Sequence, residues 1–185
     1  MKNLFNIILV LFTSVLIFSC RGNDVPEDVH DHEEIEKITL TVIDKADANS
    51  VQNISYIGGV ADKKLDLENG KTYTVKLDFY VKHGEDYENV LEELLDEKDE
   101  HFVTYEFGGV SVNLVRTADD ITRTDGKRLG LRTEWNVTSA PVNANVNIKL
   151  YHLPISVNQD FPSVTNQQGS ATGGEADVNA LIGIQ

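Results

Sequence analysis

Hydrophobic and polar residues alternate with a period of two along most of the chain beyond Ile35. Tyr73, Val75, Leu77, Phe79 and Val81 share one face of an extended backbone, while Thr74, Lys76, Asp78 and Lys82 take the other. Leu129, Leu131, Thr133, Trp135 and Val137 alternate in the same way with Gly130, Arg132, Glu134 and Asn136. Val142, Ala144, Val146, Ile148 and Leu150 alternate with Asn143, Asn145, Asn147 and Lys149. Successive side chains of a strand point to opposite faces, so each run predicts a strand with one buried and one wet face. That pattern belongs to antiparallel sheets. Weaker runs predict strands at 37–44, 51–57, 64–67, 102–107, 110–117 and 176–184. Gly58-Gly59, Asn69-Gly70, Gly108-Gly109, Asp125-Gly126, Pro141 and Gly173-Gly174 supply turns between them. The expected fold is mainly β: an antiparallel, Ig-like β-sandwich of about eight or nine strands, with Trp135 packed between the sheets.

One segment follows a different period. Tyr87, Val90, Leu91, Leu94 and Leu95 recur at helical spacing, and Glu88, Glu92, Glu93, Asp96 and Glu97 cover the opposite side. This predicts one inserted acidic amphipathic helix over 86–98, lying over an end or edge of the sandwich. Residues 158–174 are polar and predict an exposed connection before the last strand.

The N-terminus has another character. Lys2 precedes an apolar run from Leu4 to Phe18, followed by small Ser19 and by Cys20, the one cysteine of the chain. The run is shorter than the roughly 20 residues a spanning helix needs and has no stop-transfer flank. It predicts a lipoprotein signal peptide over 1–19, cleaved so that Cys20 carries lipid on its sulfur and amine. Residues 20–34, rich in acids and containing Pro26, predict a flexible tether, and 35–185 the sandwich domain. The expected address is the outer membrane, with the chain lipid-anchored on the periplasmic face or the cell surface. Asp24, Glu27 and Asp28, close behind Cys20, fit the exterior loosely.

Composition narrows the partners. With 16 Lys and Arg against 30 Asp and Glu, the formal charge is −14, and loss of Lys2 with the leader makes it one unit more negative. Such a surface excludes nucleic acid as a partner and disfavours charge-driven docking to anionic lipid. Attachment to the membrane rests on acyl chains, of which several together anchor stably. A modified Cys20 leaves no thiol for a disulfide, a nucleophile or a cysteine zinc site.

His101 and His152 are the leading site candidates. Both fall at predicted strand ends, with Asp99 and Glu100 beside His101. Two imidazoles and a carboxylate could coordinate Zn²⁺ or Cu²⁺, and a histidine pair could take a haem iron. The competing reading packs each ring at the sandwich rim. His30 and His32 form a weaker metal-binding candidate in the tether, where ordering the backbone costs roughly 1–2 kcal/mol per residue. The acids from Glu85 to Glu100, with Asp119, Asp120 and Asp125, could bind Ca²⁺ only if they converged; a solvated face is the default. No Gly-x-Ser-x-Gly elbow, phosphate-cradling loop or His-Glu-x-x-His stretch is present, so the chain is expected not to be an enzyme.

A further pattern is carried by Asp99-Glu100-His101-Phe102, Asp125-Gly126-x-x-Leu129-Gly130-Leu131, Leu150-Tyr151-His152-x-Pro154, Gly174-Glu175-x-Asp177-Val178 and the ending Ile184-Gln185. In this order and spacing the set resembles a family of small lipoproteins from Bacteroidetes, flavobacteria especially, sometimes labelled type 1 periplasmic-binding-fold proteins. The label implies a two-lobed α/β architecture with parallel sheets. Parallel strands need crossover helices, and only one helix is predicted here, so the antiparallel expectation stands. The functional expectation is a non-catalytic binding or structural lipoprotein with an unknown protein or ligand partner. The alternative is a metal- or haem-binding lipoprotein using its histidines.

Overall fold

The computed structural model describes residues 34–185. The leader, Cys20, His30 and His32 lie outside these residues. The described chain forms β1 (Ile35–Asp44), β2 (Asp47–Ile57), β3 (Val60–Ala61), β4 (Thr72–His83), β5 (Asp86–Asn89), α1 (Leu91–Asp96) and β6 (His101–Gly108). It continues with β7 (Val112–Arg116), β8 (Arg132–Val137), β9 (Asn145–His152), the short β10 (Ser156–Asn158), β11 (Pro162–Ser163), β12 (Asn166–Gln167) and β13 (Ser170–Thr172), and β14 (Glu175–Gly183).

Two antiparallel sheets build the sandwich. One runs β3-β2-β1-β4-β8-β7 with β5 paired to β4, and the other runs β14-β9-β6. Register follows the alternation: Leu40 lies opposite Leu77 and Val42 opposite Val75, while Val103 lies opposite Leu150 and Tyr105 opposite Ile148. Matched this way, every second side chain of both sheets enters a single core. A one-residue slip would turn that whole set outward, so burial fixes the register. The single parallel contact among the described strands is an isolated bridge between Leu65 and Ile184. The antiparallel expectation holds, and the parallel sheets implied by the periplasmic-binding label are not found among the described residues.

Trp135 is fully buried at the centre. Tyr105 and Phe107 of the facing sheet meet its ring edge-on, at 5.8 Å and 4.9 Å between centroids, the geometry favoured by aromatic quadrupoles. Its indole N–H donates to Thr133 Oγ1 at 2.9 Å, so no buried donor is left over.

Three expectations change. The helix expected over 86–98 shrinks to Leu91–Asp96, because Gly84, at a φ of 64°, turns the chain tightly and pairs Tyr87 with Lys82 in a hairpin. Val90 and Leu94 still enter the core, while Leu95 remains 45% exposed. Residues 64–67 make a bridge rather than a strand. The connection at 158–174 is not simply exposed: Asn166 and Gln167 lie against β7, with their side-chain oxygens accepting from the Leu114 and Arg116 amides.

That last contact closes an edge of the sandwich. Arg116, at the inner end of β7, is fully buried and donates to the backbone oxygens of Val103, Arg128, Gln167 and Gln168. Its guanidinium also lies 4.3 Å over the Phe102 ring. One side chain thereby joins β7, β6 and two connections.

Candidate functional site

At one pole of the sandwich, β1 begins, β4 turns into β5, and α1 leads into β6. The second sheet ends there in register: His101 lies opposite His152, and His152 opposite Glu175 of β14. Alternation places His101 with Val103 and His152 with Leu150 on the inner face, so both imidazoles close the polar end of the core. They are only 5% and 7% exposed. Sequence spacing gave no reason to expect contact between residues so far apart; the β6–β9 ladder supplies it.

The two rings stack, with centroids 4.9 Å apart and planes 14° from parallel. His101 Nδ1 lies 3.2 Å from the Glu97 backbone oxygen. A carbonyl only accepts, so Nδ1 carries the hydrogen and Nε2 is the basic nitrogen. Nε2 is 3.8 Å from Asp177 Oδ2. On the partner ring, His152 Nε2 is 3.6 Å from Glu100 Oε2. Burial pushes the His101 pKa below the ordinary histidine value; the Glu97 carbonyl opposes that shift, and the neighbouring His152 adds to it.

Stacking bears directly on the metal expectation. Imidazole lone pairs lie in the ring plane, so nearly parallel stacked rings direct theirs side by side instead of toward one point about 2 Å from each nitrogen. Among the described residues no group of three or more His, Cys, Asp or Glu is placed to hold a metal ion. The pair is packed as adjoining, stacked rings.

The acids grouped as Ca²⁺ candidates are dispersed. Asp99 accepts from the Thr124 amide and hydroxyl at 2.7 and 2.8 Å, which holds its carboxyl below the usual range. Asp125 pairs with Lys127 in a tight turn. Asp120 is buried and accepts from the Gly130, Leu131 and Arg132 amides. Each serves a turn.

Beside the histidines, a cleft of about 460 Å³ opens between the two sheets. Ile35, Ile38 and Val178 line its apolar part; Tyr56, Tyr87, Lys82, Glu36, Asp177 and Asn179 bring polar groups. Two of these acids occupy irregularities in opposite sheets. In β1, Ile35 faces Val81 and Lys37 faces Tyr80, leaving Glu36 as an extra residue. In β14, Ala176 faces Tyr151 and Val178 faces Leu150, leaving Asp177 as another. A bulge bends the strand and re-aims a side chain, a device common beside functional sites. Asp177 joins the two features, since it borders the cleft and approaches His101.

The alternation pattern could not reveal this cleft. Its signal was a break in that pattern: Asp177 interrupts the pairing expected of Ala176 and Val178. Nor did any motif mark Tyr56, Lys82 or Tyr87.

Fold and site together define a mainly β, antiparallel two-sheet protein with a bulge-flanked cleft at one pole. No family model matches the chain, and no curated protein or solved structure is significantly similar to it.

Proposed function

We propose that the chain is a lipid-anchored, non-catalytic lipoprotein of the outer membrane that binds a partner or ligand in the cleft between β1, β2 and β14. The observation that carries this reading is the pair of bulged acids, Glu36 and Asp177, on opposite sides of a cleft with both apolar and polar lining. Regular strands would have cost less pairing, and bulges kept on both sides of a cleft suit recognition. The tyrosines and the Ile35–Ile38–Val178 surface suit an apolar body. Rim carboxylates favour a ligand that presents N–H or O–H donors or a cation.

The lipoprotein part rests on the segment from Lys2 to Cys20 and on the resemblance to Bacteroidetes lipoproteins. Among the described residues no helix is long and apolar enough to cross a membrane.

A photocrosslinking residue at Ile57, which lines the cleft, tests the binding role in intact cells against the same residue at Val115 on β7; the two are 41% and 42% exposed. The expected result is a discrete adduct from position 57 alone, lost when Tyr56→Ala and Tyr87→Ala are combined. Identical patterns from both positions, or no adduct from either, would contradict the assignment.

A further inference from the structure

The two sheets treat their edges unequally. β6 is covered where the Val103 and Tyr105 amides donate to the Leu129 and Gln168 carbonyls. β7 is capped by Asn166 and Gln167, and β2 by β3 and by Gln52. β14 ends its sheet with β9 as its sole neighbour among the described strands. Among the described residues only its C-terminal end takes a further backbone partner, where Leu65 and Leu67 bond to Gly183 and Gln185. We propose, on the basis of the cleft's reading as a binding site, that its occupant is an extended basic peptide that adds a strand to the open edge of β14.

The phase of the ladder identifies the open groups. The Ile184 amide donates to the Ala144 carbonyl, so Ile184 turns its polar backbone toward the β9 side. In an antiparallel pair this direction alternates residue by residue. Across the continuous register from Val178 to Gly183, Val178, Ala180 and Ile182 therefore bond to β9, while Asn179, Leu181 and Gly183 turn their amides and carbonyls away from it. Two contacts agree with that phase: the Gly183 carbonyl accepts from the Leu65 amide, and the Asn179 carbonyl from the Tyr56 hydroxyl at 3.5 Å. Asn179 borders the cleft, and Leu181, two residues along the same edge, is 59% exposed. Such backbone groups are a template for another strand, and side-chain pockets beside them add specificity.

The floor of the cleft suits a strand laid there. Gly58 and Gly59 have no side chains, and nothing lies within 4 Å of where a Cβ would stand. Ile35 and Ile57 offer apolar surface. Charge selects the partner. Glu34, Glu36 and Asp177 outnumber Lys82 along the wall, which favours lysine or arginine beside the apolar residues of the incoming strand. A second copy of the chain is disfavoured, since each carries a net charge of −14.

The probe is a fluorescent hexapeptide alternating valine and lysine, titrated into the full chain in detergent and followed by anisotropy and amide exchange. At a peptide concentration about ten times the dissociation constant, exchange at Asn179 and Leu181 should slow about tenfold, with Leu77 unchanged. Proline lacks an N–H and is tolerated on an open edge. Leu181→Pro should therefore keep the fold and weaken binding about tenfold, whereas Leu181→Ala, which retains the amide, should bind as the wild type does. Glu34→Gln combined with Glu36→Gln should weaken binding roughly fivefold. A readout independent of how any variant folds is N-methylation of the peptide at its lysines or at its valines. One isomer alone should lose binding, because alternate amides of a strand point to one edge. Strand addition would be overturned by no binding, by equal binding of the two isomers or of a valine–glutamate peptide, or by self-association of the chain in place of peptide binding. Persistence of the Ile57 adduct in Leu181→Pro would also overturn it while leaving the cleft a binding site.

Discussion

Arg116 carries its charge where water does not reach. Burial lowers its pKa to about 10, which still leaves it protonated at neutral pH. Among the described residues no carboxylate bonds to it directly; backbone oxygens of four residues and the Phe102 face do. Gly130 permits this approach, since a Cβ there would collide with the guanidinium. Arg116→Met removes the charge but strands those oxygens, so we expect a loss of about 3 kcal/mol or more in urea unfolding. Arg116→Lys keeps the charge without the planar fork and should recover only part of it. Titration acts at the same scale. His101 has a lowered pKa in the folded chain, so its stabilising contribution is full above the ordinary value of 6.5 and declines as pH falls through that range. Asp44 and Asp99, held below 3.8 chiefly by backbone amides, contribute above that value and fail only below it. Asp120 acts in the opposite sense, because burial raises its carboxyl pKa. The melting temperature should first drop below about pH 6.5, the histidine window, and drop again in the carboxylate range. His101→Phe should remove the first drop and leave the second.

Strand edges set the behaviour of the elements. An open edge invites pairing with another chain, and here side-chain amides act as substitutes for a neighbouring strand. Gln52 exchanges two hydrogen bonds with the Asp66 backbone beside β2, and Asn166 and Gln167 accept from the β7 amides. Replacing both Asn166 and Gln167 with alanine also removes the bonds to Gln168 and Asp160 and should cost about 4 kcal/mol, roughly one per lost bond. It should also produce concentration-dependent association in sedimentation, whereas an unchanged monomer would contradict the capping role. These caps were invisible in the sequence, because an amide in a polar stretch carries no periodic signal. The strands themselves were legible: Tyr73 to Val81 and Ala144 to Leu150 alternate because each buries one face. The helix was half legible. Val90 and Leu94 repeat at helical spacing, yet Gly84 drew Tyr87 into a hairpin that the apolar stripe alone could not anticipate. Val142 misled similarly: it continues the alternation but is 69% exposed, since β9 starts only at Asn145. For the site, His101 and His152 were legible as strand-end residues, but their stacking came from ladder register between distant segments. Asp177 was hidden because a bulge is, by nature, a departure from period.

At the scale of the whole molecule, one core spans both sheets and Trp135 sits at its centre. Trp135→Ala should destabilise by about 3–5 kcal/mol, read as a shift in the urea midpoint. The pole bearing the cleft and the histidines is also where β1 starts, with Glu34 and Ile35 in the cleft wall. A ligand seated there would touch the first residues of β1. Net acidity of the chain makes lipid, and not surface charge, the means of attachment in this account.

Metabolic labelling of Cys20 with palmitate, followed by membrane fractionation, tests that claim most directly. The wild-type chain should take up label and sediment with the outer membrane, while Cys20→Ser should take up none and leave the membrane fraction. Equal membrane recovery of both chains without label would contradict lipid anchoring.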